Sequence, residues 1–189
     1  MLLKLYADGS VQTRKRTWTR RELPAGWACI ITDPHGNVLQ ELSDSVMTMA
    51  VDRVELFAIQ RGLQIIHAFS PDADNHVDVF SDSRYALKAL FDSIPVEKRG
   101  RFCDDSSFTD QLLETAPHID QERDADIRKI LQQILLKTIT IAFHKVQKAN
   151  APKEHGRCDR LAAECRIQLA TQLGYPVGRM ISGCSVVTM

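Results

Sequence analysis

Residues 25–42, AGWACIITDPHGNVLQEL, read as a β-hairpin. Ala25 to Thr32 is rich in β-formers, Asp33-Pro34-His35-Gly36-Asn37 carries turn chemistry, and Val38 to Leu42 returns as a second strand. Upstream, Leu2 to Asp8 alternates as a short strand does, with Leu3, Leu5 and Ala7 on one side and Tyr6 and Asp8 on the other. Downstream the period becomes helical between Thr48 and Phe69, where Leu56, Ile59, Leu63 and Ile66 recur on one side. His76 to Phe80 reads as strand, Ser83 to Phe91 as helix, Asp124 to Leu136 as helix, Thr138 to Phe143 as strand and Asp159 to Leu173 as helix. Residues 92–126 form an irregular insertion, with a short helix allowed over 109–115. A hairpin followed by alternating helices and strands predicts an α/β fold, a mixed sheet covered by helices.

The 189 residues suit one domain over 1–173, with a tail from 174 to 189, long enough to bury a core without disulfides. Twenty-four basic and twenty-four acidic side chains cancel, which argues against bulk polyanion binding. Cysteines 29, 103, 158, 165 and 184 form no C-x-x-C pair, so a reduced, cytoplasmic location is expected. No apolar run approaches the roughly 20 residues of a membrane span. An acid at Asp8 comes too early for a signal peptide. The glycine-rich phosphate loops of P-loop and Rossmann enzymes are absent.

Four acids occupy places that local packing does not explain. Asp8 and Asp82 each close a predicted strand, so parallel neighbours would bring both to one sheet edge, where α/β ligands bind. Glu55 shares the apolar side of its helix with Ile59 and Ile66, and Asp159 opens the last predicted helix. Taken singly, Asp8 also reads as a turn or cap residue, Asp159 as a helix N-terminal charge and Glu55 as a rim residue. Converging carboxylates repel one another unless cations neutralise them, and oxygen-rich clusters suit Mg²⁺ or Mn²⁺.

Four motifs together resemble those of type 1 ribonuclease H: Tyr6-Ala7-Asp8-Gly9-Ser10, Arg53-Val54-Glu55-Leu56-Phe57-Ala58, Phe80-Ser81-Asp82-Ser83-Arg84-Tyr85 and Gly156-Arg157-Cys158-Asp159-Arg160-Leu161-Ala162. They stand in the family's order on compatible elements, over roughly residues 1–91 and 124–173. The resemblance implies a ribonuclease H-like, five-stranded mixed sheet with helices on both faces. It also implies endonucleolytic hydrolysis of the RNA strand of RNA–DNA hybrids, leaving 5′-phosphate and 3′-hydroxyl ends. Asp8, Glu55, Asp82 and Asp159 would hold two Mg²⁺ ions, with Mn²⁺ an alternative, that clamp an in-line displacement at phosphorus. Backbone groups near Gly9 and Ser10 would meet the 2′-hydroxyl across the minor groove.

The sequence departs from that pattern in several places. Family members often carry a histidine in the loop after the last strand, where it helps proton transfer or product release. Ungapped counting puts Ala149 there, and His155 stands in as the candidate; a solvated loop histidine is its alternative. Asp52 and Arg84 replace frequent amides, and Arg84 would attract a phosphate where Asp52 would repel one. Residues 92–126 carry ten acids and four bases, net −6, unlike a basic hybrid-gripping handle; a protein partner would suit such a segment. The run 14–21, with Arg14, Arg16 and Trp18, would grip phosphates and stack on a base, or form a solvated hairpin tip. Trp27, Cys158 and Cys165 read as packing residues. The alternative functional readings are a nuclease with another nucleic-acid substrate, or a binding module of the same fold that does not cut.

Overall fold

Asp33 makes the hairpin turn. Its carboxylate accepts hydrogen bonds from the Asn37 backbone N–H at 2.9 Å and side chain at 2.7 Å, and Gly36 supplies the positive φ of 87° that the reversal requires. A computed structural model describes residues 1–12, 22–48, 50–69, 75–96, 98, 122–136 and 139–175. The strands are β1 (Leu2–Val11), β2 (Leu23–Thr32), β3 (Val38–Thr48), β4 (Asn75–Ser81) and β5 (Ile139–Lys145). The helices are α1 (Val51–Phe69), α2 (Arg84–Ser93), α3 (Ala125–Leu135) and α4 (Lys153–Gln172). A short 3₁₀ turn over Lys148–Asn150 precedes α4.

One five-stranded sheet runs β3-β2-β1-β4-β5. β1–β2 and β2–β3 are antiparallel, while β1–β4 and β4–β5 are parallel. The mixed sheet therefore matches the expected class. The pleat sorts side chains onto two faces. On one face Leu3, Leu5, Ala7, Trp27, Cys29, Ile31, Val77 and Val79 meet Leu56, Ile59, Leu63 and Ile66 of α1, Leu87 and Leu90 of α2 and Leu131 of α3 in the main core. On the other face Tyr6, Ala28 and Ile30 meet Cys158 and Ala162 of α4 in a smaller cluster. Trp27 is core packing as expected, edge-on to Phe57 with centroids 5.5 Å apart.

Two glycines set the helix–sheet spacing nearest the acids. A Cβ on Gly26 would stand 2.0 Å from the Ala162 carbonyl oxygen, so α4 lies directly on the β2 backbone. A Cβ on Gly9 would meet Val54 Cγ1 at 2.8 Å and the Glu55 backbone nitrogen at 2.9 Å, so β1 and the first turn of α1 touch there. Both reflect close approach, not a special φ.

β3 runs on to Thr48, past the expected end at Leu42, because β2 pairs with it along its whole length, and two further boundaries bear on the site. β1 continues past Asp8, because Gly9, Ser10 and Val11 pair with Trp27, Gly26 and Ala25 of β2; Asp8 is internal to its strand. α4 begins at Lys153, so Asp159 stands mid-helix and does not open it. The segment 153–157 is polar, and its lack of an apolar stripe hides the helix start. Among the described residues, no helix is long and apolar enough to cross a membrane. The possible helix over 109–115, most of the insertion and the tail beyond Tyr175 lie outside the described residues.

Candidate active site

Tyr6 and Phe80 are the last partners in the parallel β1–β4 ladder, and their rings stack at 4.7 Å. Asp8 and Asp82 each lie two residues farther on. Beyond this pair β1 stays with β2, while β4 ends at Ser81 and bends away. The divergence places two carboxylates side by side at the carboxyl edge of the sheet, the ligand edge of α/β proteins. The bend that carries Asp82 is shaped by two serines. Ser81 Oγ accepts from the Ser83 N–H at 3.2 Å, and Ser83 Oγ caps α2 by accepting from the Ala86 N–H at 3.1 Å. Asp8 is buried and accepts a hydrogen bond from the Gly9 N–H at 2.8 Å.

His155 joins the pair from α4. A carboxylate oxygen from Asp8, one from Asp82 and a ring nitrogen from His155 all lie within 4.8 Å of one another. The Cys158 thiol donates to the Tyr6 carbonyl at 3.4 Å and fixes this turn of α4 over β1. Burial pushes His155 below its ordinary pKa, against the opposing pull of Asp82 and Asp159. Asp159 is exposed and lies one turn farther along α4, on the same side as His155.

Glu55 enters from the first turns of α1, held close to β1 by the bare backbone of Gly9. Burial pushes its carboxyl up to about 8; a hydrogen bond with Ser83 opposes the rise, and Asp82, Asp8 and Asp52 add to it. A shared proton relieves this crowding, and a divalent cation among the same oxygens relieves it more completely. The donor set therefore fits a hard divalent ion.

The other predicted residues are placed less centrally. Gly9 serves strand–helix contact, Ser10 is half-buried in β1, and Arg84 is exposed as the first residue of α2. Cys158 is buried, and burial raises its thiol pKa; Cys165 is only half-buried. Arg14, Arg16 and Trp18 lie outside the described residues.

Sequence reasoning missed the brace behind the acids. Asp124, fully buried, accepts from the Tyr85 hydroxyl and pairs with Arg123 at 3.1 Å and Arg53 at 3.4 Å. Arg53 also holds Asp126 at 2.7 Å. Arg53 precedes Glu55 by two residues and Tyr85 follows Asp82 by three, so one carboxylate ties both motif segments to the start of α3. The signal was present in those motifs, but their partner lies 39 residues or more away in sequence.

This strand order, with carboxylates gathered where two parallel strands part, defines a ribonuclease H-like α/β protein. The RNase H family profile matches residues 2–166, and the chain belongs to that family. No curated protein matches it. Among solved structures, RNase H1 from the halophilic archaeon Halobacterium salinarum superposes with a TM-score of 0.59 at 16% identity, covering 89% of this chain and 99% of that one. The N-terminal RNase H domain of a Mycobacterium tuberculosis protein gives 0.60 at 16%, covering 91% and 98%. LC11-RNase H1 in complex with an RNA/DNA hybrid gives 0.56 at 19%, covering 88% and 98%. At these identities the likeness is one of fold.

Proposed function

We propose that the protein is a divalent-metal-dependent endonuclease that hydrolyses the RNA strand of RNA–DNA hybrids, leaving 5′-phosphate and 3′-hydroxyl ends. The observation that carries this reading is the meeting of Asp8 and Asp82 where β1 and β4 diverge, with Glu55 electrostatically coupled to both. Family membership and the hybrid-bound state of LC11-RNase H1 support the substrate. Asp8, Glu55, Asp82 and Asp159 would hold two ions, Mg²⁺ or Mn²⁺. Such ions, when bound, supply charge stabilisation at phosphorus and a nucleophile at neutral pH.

The chain's own groups orient the rest. The Gly9 N–H fixes the Asp8 carboxylate, and the serine-shaped bend holds Asp82 beside it. Arg84 and the α2 N-terminus offer positive potential to a phosphate. Backbone groups around Gly9 and Ser10 are the candidates for reading the 2′-hydroxyl.

The test is cleavage of an end-labelled RNA–DNA hybrid with Mg²⁺ or Mn²⁺, beside single-stranded RNA and duplex DNA. Asp82→Asn is expected to lower hybrid cleavage more than about a hundredfold, beyond the cost of losing an outer partner of a metal ligand. Tight binding of an uncut hybrid by the wild type would overturn the enzyme reading. Cleavage of a control alone would overturn the substrate.

A further inference from the structure

His155 is 5% exposed, and its Nε2 is buried without a hydrogen-bond partner. Leaving such a nitrogen unsatisfied costs about 1–3 kcal/mol. The helix does not require an imidazole here, since the neighbouring inward residues of α4 are the small Cys158 and Ala162. A ring nitrogen of His155 nevertheless lies within 4.8 Å of oxygens from both Asp8 and Asp82. Three donors about 2.1 Å from a shared ion stand at most about 4.2 Å apart, so small side-chain rotations close all three onto one centre. A proton shuttle exchanges its proton with water, whereas this Nε2 is buried.

Building on the nuclease reading above, we infer that His155 is a direct nitrogen ligand to the ion held by Asp8 and Asp82, and that this mixed set selects a first-row transition ion such as Mn²⁺ over Mg²⁺. Mg²⁺ favours oxygen donors and gives up its water reluctantly, whereas imidazole adds affinity for transition ions. The ring sits one turn before Asp159 on a packed helix, so it reaches the ion as a fixed ligand. The site then consists of two strand-edge oxygens and one helix nitrogen, with Glu55 and Asp159 at its margin.

The experiment uses the full chain with Mn²⁺ as probe. Pulsed electron paramagnetic resonance of bound Mn²⁺ reads ¹⁴N coupling from a ligating imidazole, and calorimetry gives Mn²⁺ and Mg²⁺ affinities. The wild type is expected to show the coupling, and so is His144→Ala, which alters a separate imidazole–carboxylate pair (His144 Nε2 to Asp78 Oδ1, 3.2 Å). His155→Ala and His155→Gln, their folding checked by thermal melts, are expected to lose the coupling. Their Mn²⁺ affinity should fall at least about tenfold while Mg²⁺ affinity changes by less than about threefold. Bound Mn²⁺ without ¹⁴N coupling in the wild type, coupling that survives in both His155 variants, or equal loss of the two ions would overturn the assignment. If neither His155 variant folds, wild-type coupling that Asp82→Asn removes supports it, and absence of that coupling overturns it. Coupling with an uncut hybrid keeps the ligand and sinks the nuclease reading; cleavage around a coupling-free ion does the reverse.

Discussion

Glu55 is the residue whose chemistry most depends on its neighbours. In the metal-free fold it holds a proton up to about pH 8, whereas an ordinary glutamate releases it near 4.5. Between those values the folded state binds a proton that the unfolded chain has lost, so stability falls as pH rises through the window. Below 4.5 the residue carries no such cost, and above about 8 the cost is complete, of order a few kcal/mol. Thermal melts in EDTA should therefore show Glu55→Gln matching the wild type at pH 4 and exceeding it at pH 9. Gly9 makes the companion prediction. Gly9→Ala forces Val54 and Glu55 outward, at about 1–3 kcal/mol in urea unfolding and with weaker divalent-ion binding by calorimetry.

Among the elements, α4 is the one that local sequence describes least well. Its core contacts come from small residues, Cys158 and Ala162, and its first turns are polar, so no amphipathic stripe marks residues 153–157. In α1, by contrast, Leu56, Ile59, Leu63 and Ile66 are all buried, and the spacing alone sufficed. β1 shows a related gap. Gly9 resembles a turn residue, yet the strand runs on because β2 offers it a partner, which only the tertiary pairing reveals. Asp8 and Asp82 were legible because each follows an apolar run. The burial of His155 and the Asp124 brace were not, because both depend on contacts between distant segments. Two predictions belong at this scale. Gly26→Val is expected to lift α4 from the sheet, at a cost of about 3 kcal/mol or more, with loss of the His155-dependent Mn²⁺ signal. Asp124→Ala, by removing the buried acceptor that Arg123, Arg53 and the Tyr85 hydroxyl share, should cost about 3 kcal/mol in urea unfolding, with Arg53 keeping its pair with Asp126.

For the whole molecule, metal and fold stability are linked through one cluster. An ion that binds only the native arrangement stabilises it by about 2.7 kcal/mol at a hundred times its dissociation constant. Addition of Mn²⁺ at neutral pH should therefore raise the melting temperature, and EDTA should reverse the rise. Asp8→Asn should abolish that response, and at pH 9, where Glu55 is ionised, it should raise the metal-free melting temperature, since it removes one of the charges that repel the Glu55 carboxylate.

The order of the chain adds a temporal consequence. Asp8, Glu55 and Asp82 all emerge from the first 82 residues, whereas His155 and Asp159 arrive on the final described helix, seated on β2 at Gly26. During translation the growing polypeptide therefore carries three of its five candidate groups long before the other two exist. Those two reach the sheet only after α4 has cleared the ribosome and docked.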